Sequence, residues 1–210
     1  MSPAPAQFDK ESGSARPRIE GDREQEILSA TLQVLSEVGY DRLTMDAVAQ
    51  AAKASKATLY RRWQSKATLV IDALLAQKGV EHFEPADTGT LRGDLLAMFC
   101  GFGGITEQKP IALLAGVLTA IHRDEELGSQ FRERFIGPKI AASRVIYDRA
   151  RDRGELREQV DLDLLAPALA GIVLHRVYLM GEEPTPELVS AVVDQIILPA
   201  ALHQPHEQES

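Results

Sequence analysis

Hydrophobic and polar positions along this chain fall into helical periods. From Arg23, the positions Ile27, Thr31, Val34, Leu35 and Val38 recur at three- and four-residue spacing, and Leu28 and Leu32 widen the stripe. That spacing predicts an amphipathic helix with one buried face. Gly39 tolerates positive φ and so predicts the helix end. Thr44 then serves as N-cap for a short second helix that turns Met45, Val48, Ala49 and Ala52 inward. This helix stops near Lys53, and Ser55 caps a third, Lys56 to Trp63, of barely two turns. Gln64 and Ser65 interrupt it, and Ser65 caps a fourth helix running through Leu69, Leu74 and Leu75 to Gly79. The tetrapeptide SKAT stands at 55–58 and again at 65–68, each time at a helix start. This is cap chemistry used twice; nothing else repeats, so no solenoid is predicted.

Residues 1–21 are rich in Pro, Ser, Gly and charge without apolar period, and read as a disordered arm. Within it, Arg16 and Arg18 have a minor-groove reach as the lesser reading and an inert tail as the greater. The segment 80–90, VEHFEPADTGT, is polar and holds Pro and Gly, as linkers do. Apolar-periodic segments follow at about 90–106, 109–122, 124–153, 161–181 and 185–203, bounded by Gly154, Gly181, Pro184 and Pro186. No stretch alternates with period two, so no strand is predicted. The expected architecture is all-α: a small bundle at 22–79, a larger one at 80–203 and a polar tail at 204–210.

Composition narrows the classes. At 210 residues and 44% hydrophobic content the chain buries a sizeable core, which excludes disorder throughout. Cys100 is the only cysteine, which excludes a disulfide scaffold. The longest apolar runs, Ile111 to Ile121 and Leu164 to Leu174, fall short of the roughly 18 residues a membrane span needs. The start MSPAPAQFDKES lacks the basic and apolar regions of a secretion signal, so the cytosol is the default location. Hydrolase, dinucleotide, P-loop and zinc-protease motifs are absent, and His82, His122, His175, His203 and His206 are scattered. Neither an enzyme nor a metal or cofactor site is expected.

Charge changes the picture most. A formal net charge of −8 argues against a polyanionic partner, but residues 1–80 carry 11 Lys and Arg against 10 Asp and Glu. Between Asp46 and Asp72 stand Lys53, Lys56, Arg61, Arg62 and Lys66 and no carboxylate. A charge run alone is usually a solvated face; the short third helix gives this one a purpose. Leu59 and Trp63 lie one turn apart and point inward, which leaves Ala57, Thr58 and Arg61 opposite and Lys56, Tyr60 and Arg62 on the flanks. So short a helix survives by docking. A small Ala57 beside Lys56 and Thr58 permits close approach to the walls of a major groove about 12 Å wide. Lys, Arg, Thr and Tyr supply phosphate contacts, and the start of the fourth helix at Ser65 and Lys66 offers a second phosphate site.

LTMDAVAQAAKASKATLYRRWQSKATLV resembles the DNA-binding signature of the TetR family of bacterial transcriptional regulators. The match covers roughly 23–75, and SKATLYRRWQSKATL is its most specific part; the ending GELREQVDLDLL…GEEPTPELVSAVVDQIILPAL resembles a C-terminal subgroup more loosely. The family's Ala-Gly-Val-Ser turn is here Ala52-Lys53-Ala54-Ser55, and the aromatic usually preceded by His is Trp63, preceded by Arg62. The resemblance implies that Thr44, Tyr60 and Lys66 hold phosphates and that Ser55, Lys56, Ala57, Thr58 and Arg61 form the recognition surface. It implies an N-terminal three-helix helix-turn-helix DNA-binding domain and a larger C-terminal ligand-binding and dimerisation domain. One short helix reads too few base pairs for specificity, so a homodimer on a pseudo-palindromic operator is expected. Its interface would use the C-terminal helices, about 161–203, through Leu164, Leu165, Leu169 and Ile172, then Leu188, Val192, Val193, Ile196 and Ile197. Aromatics beside glycines suggest a cavity for a small apolar effector whose binding releases DNA, with Met98, Phe99, Phe102, Leu118, His122, Phe131 and His175 as lining candidates. The competing readings are a relative that binds ligand or protein without DNA, and a small helical enzyme.

Overall fold

The structure, a computed structural model, describes residues 16–78, 84–101, 104–106 and 108–202, with backbone alone for 16–20, 78 and 108–112. Eleven α-helices account for most of it, and among the described residues only an isolated bridge between Leu156 and Leu202 has β character. The first four helices are α1 (Arg16–Arg42), α2 (Met45–Ala51), α3 (Lys56–Arg62) and α4 (Lys66–Lys78). α1 is broken where expected, at Gly39, whose φ of 73° no ordinary helix residue adopts. Its start corrects the disordered arm of 1–21. Residues 1–15 lie outside the described residues, but Arg16 to Gly21 are helical and continuous with α1. Pro17 stands in the first turn, where its missing N–H has no partner to lose.

The second half comprises α5 (Leu91–Cys100), α6 (Gln108–Ala120), α7 (Glu125–Gln130), a π-helical turn π1 (Phe131–Ile136) and α8 (Gly137–Asp152). Then come α9 (Leu162–Met180), α10 (Pro186–Val192), a second π turn π2 (Val193–Ile197) and α11 (Leu198–Ala201). The two segments expected as single helices at 124–153 and 185–203 thus each contain a π turn. Pro167 and Gly171 fall inside the Leu164–Leu174 run but do not divide α9. It runs 19 residues and by length and composition meets the requirement for a membrane span, correcting the expectation that no segment does. Only 17% of its apolar window is buried.

Packing does not divide where the linker suggested. One core joins α1 to α4 through Ile27, Leu35, Leu43, Leu59, Trp63 and Leu69, and extends into α6, α7 and π1 through Val117, Leu127 and Phe131. A second core joins α5, α8, α9, α10, π2 and α11 around Leu95, Tyr147, Leu169 and Val193. The described part of the linker is stapled to the second core. Asp94, fully buried, accepts from Thr88 N (2.6 Å), Thr88 Oγ1 (2.7 Å) and Arg153 Nη2 (3.2 Å). Arg149 donates to the carbonyl of Pro85 at 3.0 Å. These contacts satisfy a carboxylate that burial alone makes costly.

Much of the expected dimer stripe belongs to the chain's own interior. Leu169, Val192, Val193 and Ile197 are buried in the second core, because α9 and α10 pack against α5 and α8. What stays open is Leu164 and Ile196 of the expected stripe, together with Leu179 and Met180.

Candidate nucleic-acid interface

Local chemistry sets the helix-turn-helix. Thr44 Oγ1 accepts from Ala47 N at 3.1 Å and starts α2; Ser55 Oγ accepts from Thr58 N at 3.1 Å and starts α3. Between them Lys53 takes φ of 50°, the left-handed conformation that the family's glycine would adopt without strain. Its carbonyl accepts from Arg23 Nη2 at 2.7 Å, tying α1 to the turn. Leu59 and Trp63 are the inward anchors, both essentially without exposure. Trp63 is the C-cap rather than the last helical residue, and its N–H donates to Leu59 O.

The outward side carries the expected residues. Ser55, Lys56, Ala57, Tyr60, Arg61 and Arg62 are exposed, Thr58 is half-buried, and Thr44 at the start of α2 is exposed. Tyr60 is 54% exposed. The cations are not equivalent. Lys56 Nζ lies 2.6 Å from Asp46 Oδ2, and that carboxylate raises the lysine's pKa above its ordinary value. Arg62 Nη2 pairs with Glu24 at 2.9 Å. Among the described residues neither Arg61 nor the Lys53 ammonium has a hydrogen-bond or ion-pair partner. Arg61 overhangs a groove of 410 Å³ between α1 and α3, lined also by Arg23, Ile27 and Thr58. Arg23, Glu24 and Asp46 escaped the sequence reading because their partners are 10 to 38 residues away and follow no period.

The fourth-helix start differs from expectation. Lys66 Nζ donates to Tyr40 O at 3.2 Å and stands 4.3 Å from the Tyr40 ring centroid, turned toward the end of α1. Ser65 Oγ donates to Glu126 Oε1 at 2.5 Å, so a carboxylate of α7 already faces this helix start. Tyr40 OH donates to Asp124 Oδ2 at 2.7 Å; burial chiefly, then that bond, drives the phenol pKa far upward. Asp124 is lowered, first by the Leu127 N–H it caps and then by Tyr40.

The effector candidates do not converge on one place. Met98 and Phe99 belong to the second core, Leu118 and Phe131 to the first, where Phe131 stacks on Phe135 at 5.0 Å. His122 and His175 are exposed, one in the turn after α6 and the other on the open face of α9, so neither lines an interior cavity. Phe102 lies outside the described residues.

Two family models match the chain: bacterial regulatory proteins of the tetR family over residues 27–73, and a tetracyclin repressor-like C-terminal domain over 85–196. An uncharacterised HTH-type transcriptional regulator of Mycobacterium tuberculosis, Rv1556, is 39% identical over 182 residues, 85% of this chain and 87% of that protein. A DNA-binding transcriptional repressor TetR of Mycobacteroides abscessus is 35% identical, over 84% of this chain and 92% of its own. The crystal structure of the TetR family transcription regulator SCO0332 superposes with a TM-score of 0.65 at 28% identity, over 88% of this chain and all of that one.

Proposed function

This chain belongs to the TetR family of bacterial transcriptional regulators, and we propose from that premise that it is a dimeric repressor which a small apolar effector releases from a pseudo-palindromic operator. It is a DNA-binding helix-turn-helix regulator, with residues 22–79 as the DNA-binding unit and 80–203 as the dimerisation and effector unit. A DNA ligand makes the bacterial cytoplasm its place of work. One observation carries the reading: α3 has Leu59 and Trp63 as its large buried apolar anchors and turns Ser55, Lys56, Ala57, Tyr60 and Arg61 to solvent.

In this reading α3 enters the major groove with Ala57 closest to the base edges. Thr44 and Tyr60 fix register on phosphates. Arg61, whose guanidinium has no protein partner among the described residues, reads a base edge. Lys66 reaches phosphate only by leaving Tyr40, so its contribution is smaller than its position at the start of α4 suggests. The open apolar face of α9, with Ile196 of π2, supports a twofold interface that spaces two α3 helices one DNA turn apart. An effector acts by binding more tightly to a domain spacing that no longer matches that turn.

Selection of bound fragments from sheared genomic DNA, by the purified full-length chain, tests the proposal. It should return an inverted repeat with half-sites centred about 10 base pairs apart or a multiple of that. Failure to retain any duplex at low ionic strength would overturn it.

A further inference from the structure

α4 and the α7–π1 segment run side by side in the same direction, joined by three polar rungs. Ser65 Oγ donates to Glu126 Oε1 (2.5 Å), Gln130 Nε2 to Thr68 Oγ1 (2.9 Å) and Arg134 Nη2 to Asp72 Oδ1 (2.6 Å). On α4 the rungs advance by three and four residues and therefore share a face. On the partner they advance by four, a step that drifts around an α-helix of 3.6 residues per turn. The π turn Phe131–Ile136 holds more residues per turn and brings Arg134 back into the column of Glu126 and Gln130. This gives the π turn a purpose that the core contacts of Phe131 and Phe135 do not.

The last rung continues into the DNA-facing helix. The other oxygen of Asp72, Oδ2, accepts from Trp63 Nε1 at 2.8 Å. One carboxylate thus joins a guanidinium on the C-terminal half to the indole that ends α3. Trp63 is one of only two large anchors of that helix, so its orientation sets where α3 ends. Charge assistance makes the Arg134–Asp72 bond the strong member of the chain.

We propose that Arg134 is a positioning residue for DNA recognition: it orients the Asp72 carboxylate, which holds the Trp63 indole and so the pose of α3. This rests on the reading of α3 as the recognition helix. Without Arg134 the Asp72 side chain is free to turn to water, and α3 keeps its packing but loses its fixed end. The contribution is to fit on the operator rather than to attraction for DNA in general.

Trp63 is the only tryptophan in the chain, so its fluorescence reports this link directly. In full-length Arg134→Met and Asp72→Asn, Trp63 emission and its quenching by acrylamide should shift alike, and Arg134→Lys should restore much of the wild-type signal. Arg134→Met should weaken binding to the selected operator roughly tenfold, the loss of about one charged hydrogen bond. Binding to random-sequence duplex, and its salt slope, should stay within about twofold. Trp63→Phe, which keeps the packing and removes the N–H, should weaken the operator complex similarly, and adding Arg134→Met should cost little more. Unchanged Trp63 emission in Arg134→Met, or losses that multiply in the double variant, would overturn the proposal. Should Arg134→Met fail to melt cooperatively, Arg134→Gln and Asp72→Asn are judged by the same readouts. Wild-type protein that binds no duplex overturns the proposed function instead, and the fluorescence then judges the link alone.

Discussion

Leu164 and Leu179 are each 74% exposed on one helix, with Gly171 between them on the same face. If that face is the twofold interface, truncating Leu179 to alanine removes three buried carbons from each protomer. At about 0.8 kcal/mol per carbon and three-quarters newly covered area, the loss is about 1.8 kcal/mol per side chain. Symmetry doubles it, to about 3.5 kcal/mol, a dimer dissociation constant some 300-fold weaker. Gly171→Arg supplies a second arm. A Cβ at Gly171 meets nothing within 4 Å, and a glycine inside a helix is about 1 kcal/mol worse than alanine. The folded protomer therefore tolerates the arginine, whereas the twofold axis sets it against its own copy. Sedimentation velocity across a concentration series measures both. Dissociation constants within about threefold of wild type, for both variants, would refute the assignment of α9 to the interface.

Lys53→Gly should raise stability to denaturant by about 0.5 kcal/mol: relief of the left-handed lysine, about 1–2 kcal/mol, outweighs the entropy gained by the unfolded chain, about 0.4–1 kcal/mol. A destabilised variant would show the turn to be relaxed as it stands. Asp94→Ala should cost about 1–3 kcal/mol by urea unfolding, since both Thr88 donors and Arg153 Nη2 lose their acceptor while Arg153 keeps Glu155 and Asp87; a cost below about 0.5 kcal/mol would place the linker's support elsewhere. Because Asp124 has a lowered folded pKa, its charge stabilises the protein fully above the ordinary carboxylate value of about 3.9. The stability advantage of wild type over Asp124→Asn should therefore vanish as pH falls through the lowered value, and an advantage that grew on acidification would contradict the assignment. Arg61→Ala should relax operator preference by about 1–3 kcal/mol at one base position; equal losses on operator and random duplex would remove Arg61 from the readout set.

Several features of the site were readable because each depends on a few neighbouring residues. Thr44, Ser55 and Ser65 cap their helices through donors three residues on, a relation that spacing alone specifies. Leu59 and Trp63 follow the same logic one turn apart. Harder to read was where a long side chain goes when several partners are within reach. Lys66 promised a phosphate contact and instead settles on the carbonyl and ring of Tyr40, 26 residues away. The described effector candidates lie apart for a related reason. Glycines beside aromatics signal possible space, but Met98 and Phe99 pack into one core and Leu118 and Phe131 into the other.

Helix type, helix ends and the cationic outer side of α3 follow from periodicity and capping, whose free energies are settled within a turn or two of chain. Three-dimensional packing alone assigned α6, α7 and π1 to the core of the DNA-facing bundle and left the face of α9 bare. It also joined Arg134, Asp72 and Trp63. The Arg134–Asp72 pairing closes a loop of 62 residues, and its closure entropy is repaid only when whole helices dock at once. A linear pattern records which surfaces are apolar or charged; which surface meets which is a property of the assembled helices.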